Sequence, residues 1–138
     1  MRPDTLARTA ECVASGHSLD RALREFLDEF YLAPTAELKS SMLADEPPAV
    51  GDPRVESLFG AVAEYLAHQY GLPHVPDWAY SPRRYLDRAW HASPMADEGM
   101  REYLTFSSPA EFASRNIFTE ERPLRRARGP RPPGNESR

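Results

Sequence analysis

A mainly helical fold follows from three features of the sequence. Apolar residues recur at helical spacing through its first half, capping residues stand at the edges of those runs, and prolines limit every run to about twenty residues. The expected architecture is a small bundle of short helices around a central amphipathic helix at residues 53–70. An aromatic, proline-rich irregular strap and a disordered C-terminal tail complete it. Residues 1–121 are read as a single helical domain, with N-terminal helices in 1–45 and the central helix plus strap in 52–121, and residues 122–138 as an Arg/Pro-rich tail.

The first run, residues 3–15, carries a thin stripe of Leu6, Ala10 and Val13 and stops at Gly16, a natural left-handed cap. Cys12 lies in the same pattern and reads as a small core residue, because a lone cysteine cannot form an internal disulfide. Ser18 then caps a second helix whose apolar face is Leu19, Ala22, Leu23, Phe26, Leu27 and Phe30, with Pro34 as its stop. Its other face pairs Asp20 with Arg24, Arg21 with Glu25 and Arg24 with Asp28 at four-residue spacing, the pattern of a solvated surface. Thr35 caps a third helix through Leu38, Met42 and Leu43, ended by Pro47-Pro48, and residues 46–52 are a linker.

Asp52-Pro53 opens the fourth helix, with Val55, Leu58, Phe59, Val62, Leu66 and Gln69 at a period near 3.6 until Gly71, which makes it the central strut. Beyond it Pro73, Pro76, Pro82 and Pro94 break the chain, and a single helical turn is expected at Ser81-Pro82. A further helix is expected from Asp97 to Phe106. Ser108-Pro109-Ala110-Glu111 has the form of a capping box opening a last helix through Phe112, with Ile117 and Phe118 after it.

Charge is unevenly shared. The net charge is −4, but residues 1–121 hold 20 acidic against 11 basic side chains, and residues 122–138 hold six arginines against Glu136. An acidic body disfavours phosphate-coated partners and favours basic ones. No window approaches a membrane span and no signal peptide is evident, so the chain is expected to be cytoplasmic.

Catalytic, cofactor and metal sites are not expected. The seven glycines form no phosphate loop, and no serine sits in a nucleophile elbow. His17, His68, His74 and His91 include no close helical pair, so a zinc site from His68, His74 and His91 with Asp77 would need a coincidence of folding. A helix-turn-helix outline exists in the first two helices. The second helix, however, carries Asp20, Glu25, Asp28 and Glu29 against Arg21 and Arg24, which phosphates would repel.

The strap is the more informative feature, with Trp78, Tyr80, Tyr85, Trp90, Tyr103 and Phe106 interleaved with Arg83, Arg84, Arg88 and Arg101. Trp, Tyr and Arg dominate binding hot spots, but large rings also complete thin helical cores, so these side chains are either a lid on the core or a partner surface.

From the central helix onward, over roughly residues 52–127, an ordered series of short blocks can be followed. They are the amphipathic run Val55 to Tyr70, Gly71-Leu72-Pro73, Val75-Pro76-Asp77-Trp78, Arg84-Tyr85-Leu86-Asp87, Trp90, Ser93-Pro94, Ser108-Pro109-Ala110-Glu111-Phe112 and Arg115-Asn116-Ile117-Phe118. In this series the chain resembles a family of small bacterial antitoxin-like proteins encoded beside nucleotidyltransferase-fold toxins. It departs from them in Glu120-Glu121 ahead of the arginines. The resemblance implies a non-catalytic module that neutralises a cognate toxin by direct binding. Trp78, Arg84, Tyr85, Trp90, Arg115 and Phe118 are then the candidate partner-binding residues. The alternatives are a DNA-binding or autoregulatory protein using the N-terminal helix pair, and an enzyme whose site is assembled beyond sequence recognition. Nucleic acid is the less favoured partner, and the sequence leaves the oligomeric state open.

Overall fold

A computed structural model describes residues 3–91, 108–119 and 124. Among the described residues, helices α1 (Leu6–Ala14), α2 (Leu19–Leu32), α3 (Ala36–Ala44), α4 (Pro53–Gln69) and α5 (Ala110–Ala113) follow in order. Two 3-10 turns (Asp77–Tyr80 and Pro82–Arg84) and two short strands, β1 (Trp90–His91) and β2 (Ile117–Phe118), complete the architecture. The expected mainly helical bundle around residues 53–70 is therefore the observed fold. The expected helix from Asp97 to Phe106 and most of the tail lie outside the described residues.

Local signals set the helix ends. Thr5, Ser18, Thr35 and Asp52 each accept a backbone N–H of the first turn, which satisfies a donor that the helix itself cannot. At the other end of α1, Gly16 takes φ +103 and donates to the Val13 carbonyl while His17 donates to Cys12. At the end of α4, Gly71 takes φ +61 and donates to His68 while Leu72 donates to Ala67. Both are Schellman closures, and both depend on the left-handed backbone that glycine adopts without steric cost.

The core runs without interruption from Leu6 and Ala10 through Phe26, Phe30 and Leu43 to Phe59, Val62 and Leu66, then to Phe112 and Ile117. Helix α4 is buried on almost every side from Val55 to Ala67, as expected of a helix packed by neighbours all round. The strap and α5 pack directly on α4, while α1 packs on α2 and α3, and one core cluster joins the two halves.

Two expectations are corrected, at Leu38 and at Ser108, and two details are added, at Ile117-Phe118 and at Leu124. On α3, Leu38 is 45% exposed while its neighbour Lys39 is only 8% exposed. The Lys39 stem packs inward and its Nζ donates to the Ala33 carbonyl at 2.6 Å beyond the end of α2, lying over the Phe30 and Tyr70 rings. The capping box at Ser108 does not form. Pro109 occupies the cap position without a side-chain bond, because the Ser108 hydroxyl donates to the Thr119 carbonyl and accepts from the Thr119 N–H. Ile117 and Phe118 form a parallel bridge with Trp90 and His91. Finally, Leu124, placed by the sequence reading in the tail, is buried, and the Tyr31 hydroxyl donates to its carbonyl at 2.5 Å.

Candidate functional site

Two fully buried arginines frame the strap. Arg84 Nη1 donates to the Glu56 carboxylate at 2.9 Å and to the Glu56 carbonyl at 3.2 Å. Its Nη2 reaches the Pro47 carbonyl at 2.9 Å and Glu46 at 3.3 Å, and its guanidinium lies over the Trp78 ring. Arg115 Nη1 donates to Glu64 at 2.6 Å and to the Glu111 carbonyl at 2.9 Å, while Nη2 donates to the Ala79 carbonyl at 2.7 Å. Its guanidinium lies over the Tyr85 ring. Both Nε atoms are buried and find no acceptor among the described residues. Burial, followed by the charge of Arg83, draws the Arg84 pKa below the ordinary arginine value, and Glu56 and Glu46 pull it back.

Gly60 is where these groups cross α4. A Cβ there would stand 2.8 Å from the Arg84 Cβ, 3.0 Å from the Arg115 Nε and 3.2 Å from the Ala79 carbonyl oxygen. The glycine is needed for close approach. An isolated glycine inside a helical run can signal a packing constraint of this kind, and the sequence reading passed over Gly60.

The six candidate partner-binding residues therefore divide. Arg84 and Arg115 face inward, and so does Trp78, whose indole Nε1 donates to the Leu43 carbonyl at 3.1 Å. These three act as the lid. Tyr85, Trp90 and Phe118 remain partly exposed, with the Trp90 ring under the Arg54 guanidinium and the Phe118 ring against His91. Asn116, which the sequence did not single out as more than part of a block, fixes this edge. At φ +65 its side-chain amide donates to the Leu86 carbonyl while its own carbonyl accepts from the Trp90 N–H, each at 2.8 Å. Asparagine tolerates that left-handed backbone better than most residues.

Beside Trp90, the start of α4 and the segment 86–89 enclose an open groove of about 560 Å³ lined by Asp52, Pro53, Arg54, Leu86, Asp87, Arg88 and Ala89. Its lining mixes two acidic and two basic groups with apolar Pro53, Leu86 and Ala89. Asp52 is already engaged as the α4 cap. Such a lining suits a polypeptide surface with mixed charges better than a phosphate, which would need donors free of carboxylate neighbours.

A second polar cluster lies on the seam of α4 and α5. Tyr80 donates to Glu64, whose other oxygen holds Arg115, and His68 Nδ1 stands 2.5 Å from the Glu111 carboxylate. Burial and the bond to Glu64 raise the Tyr80 pKa. Among the described residues no serine or cysteine is bonded to His68, and no group of three His, Cys, Asp or Glu side chains could hold a metal. His68 is thus engaged with Glu111 and joins neither His74 nor His91.

In the N-terminal pair, α2 turns Asp20 and Glu25 outward, each 3.4 Å from Arg24 and Arg21 respectively. No described helix is long and apolar enough to cross a membrane. In comparisons with known proteins, no protein-family model, no curated protein and no solved structure matches the chain.

Proposed function

We propose that this chain is a non-catalytic protein-binding module of the cytoplasm, the antitoxin-like partner that neutralises a nucleotidyltransferase-type toxin by direct binding. The toxin assignment rests on the resemblance of the blocks from Val55 to Phe118. The single structural observation that supports a binding role is the groove at the start of α4. Partly buried Leu86 with Arg54 and Arg88 lines it, and the Trp90 ring stands beside it under Arg54, so residue types that anchor protein interfaces are mounted on a rigid helix and a braced strap. The acidic body supports a basic partner surface, such as one that would otherwise hold nucleotide phosphates.

Co-expression with the product of the adjacent gene tests the reading. A stable complex and relief of any growth arrest are expected. Two exposed groove substitutions, Arg88→Ala and Ala89→Arg, should weaken that complex while the isolated protein keeps its helicity. Separate elution of the two proteins with unrelieved arrest would remove the antitoxin assignment. A shift of duplex DNA by the purified chain, weakening with salt, would favour the nucleic-acid alternative instead.

A further inference from the structure

The sequence contains one lysine among its 17 basic residues, and the fold hides it. We infer that Lys39 is a fold-gated acylation site, an amine that an activated acyl donor such as a thioester can reach only when the start of α3 lifts from α2. Four contacts make the gate. Nζ donates to the Ala33 carbonyl at 2.6 Å, the Phe30 and Tyr70 ring centroids lie 5.5 Å and 5.0 Å from it, and Thr35 pins the first turn of α3 through its bond from the Leu38 N–H.

The chemistry needs the neutral amine. Its lone pair attacks the acyl carbonyl carbon, a C–N bond forms, the C–S bond of the thioester breaks, and thiolate and the amine proton leave to solvent. With its nitrogen bonded to a carbonyl and faced by two rings in a residue only 8% exposed, Lys39 presents little surface to an incoming carbonyl carbon. Burial lowers its pKa and so enriches the neutral form, but access controls the rate. Acylation also removes the positive charge that the two rings face, so a modified chain loses that attraction when α3 closes again. Any lysine-directed tag, from an acetyl group to an isopeptide-linked protein, would thereby mark opened molecules and spare closed ones. This inference is independent of the toxin assignment, since it concerns α2 and α3 and not the groove.

The test is timed acylation of the full chain with an N-hydroxysuccinimide acetate, read by peptide mass mapping at Lys39. In native buffer the rate should be at least about 30-fold slower than in 6 M guanidinium, as expected for a site exposed by opening. Thr35→Ala removes an exposed cap without touching the cage, and should speed native labelling about fivefold. Lys39→Arg should abolish the slow phase while keeping the fold. A native rate within about threefold of the denatured chain, or a Thr35→Ala rate equal to that of the unsubstituted protein, would overturn the gate.

Discussion

The N-terminal helices and the strap are built on different physics. Helices α1 to α3 are held by instructions that lie within a few residues of where they act, namely hydroxyl caps at Thr5, Ser18 and Thr35, a glycine closure at Gly16 and ion pairs four residues apart. The strap is held by groups far apart in sequence, with Arg84 reaching back 28 residues to Glu56 and Arg115 reaching back 51 to Glu64. Regular helices satisfy their own backbone, so their side chains are free to be apolar. The irregular strap and the 46–52 linker leave carbonyls such as those of Ala79 and Pro47 without helical partners, and buried guanidinium groups supply the missing donors. Arginine suits the task because its planar fork donates in several directions and its face stacks on Trp78 and Tyr85.

That contrast ranks the expected effects of substitution. Arg115→Ala strips donors from Glu64 and from two carbonyls and should destabilise by about 3–5 kcal/mol in urea unfolding, with Arg115→Lys restoring only part of it. A loss below 1 kcal/mol would mean that the strap is held mainly by its rings. Gly60→Ala should cost about 2–3 kcal/mol despite the roughly 1 kcal/mol of helix propensity that alanine gains, because Arg84 Cβ and the Ala79 carbonyl cannot both yield. The substitution would raise the melting temperature instead if the strap could lift without loss.

On the N-terminal side the effects should be smaller. Burial, then the charge of Tyr65, pushes the Tyr70 pKa from 10.0 up to about 12. The neutral phenol therefore contributes stability that is complete below pH 10 and is lost as pH climbs through about 12. After discounting for partial exposure, the loss is on the order of 1 kcal/mol. Tyr70→Phe should abolish this slope in unfolding measured from pH 9 to 12. Lys39, held below its usual 10.5, has the opposite sign and adds stability as pH rises towards that value. Ser18→Ala removes one α2 cap and should cost about 1 kcal/mol or less, visible as a small fall in melting temperature with helicity retained.

How much of this was legible in the sequence follows the same division. Helix α4, all four hydroxyl or carboxylate caps except that of Thr5, and both glycine closures could be read from local patterns, because each is decided within one or two turns. The arginine frame could not. Arg84 and Arg115 look like surface residues until Glu46, Glu56 and Glu64 are brought to them, and arginine is seldom fully buried without such partners. Ser108 shows the converse error. Its capping pattern is correct for an isolated helix, but Thr119 offers both an N–H and a carbonyl to the same hydroxyl, and that tertiary pair prevails. The groove was half visible, since Trp90 was named for its residue type while its place beside the first turn of α4 depends on the β1–β2 bridge and Asn116.

The separation between Glu64 and Arg115 also has a meaning during synthesis. A ribosome adds roughly 5–20 residues per second, so on the order of 3–10 s pass between the emergence of that carboxylate and the arrival of its guanidinium. Throughout that interval the flank of the strut that the strap and α5 will bury stands without its cover. The nascent chain must wait in that state, which makes it a natural client for a holding chaperone until Arg115 has been added.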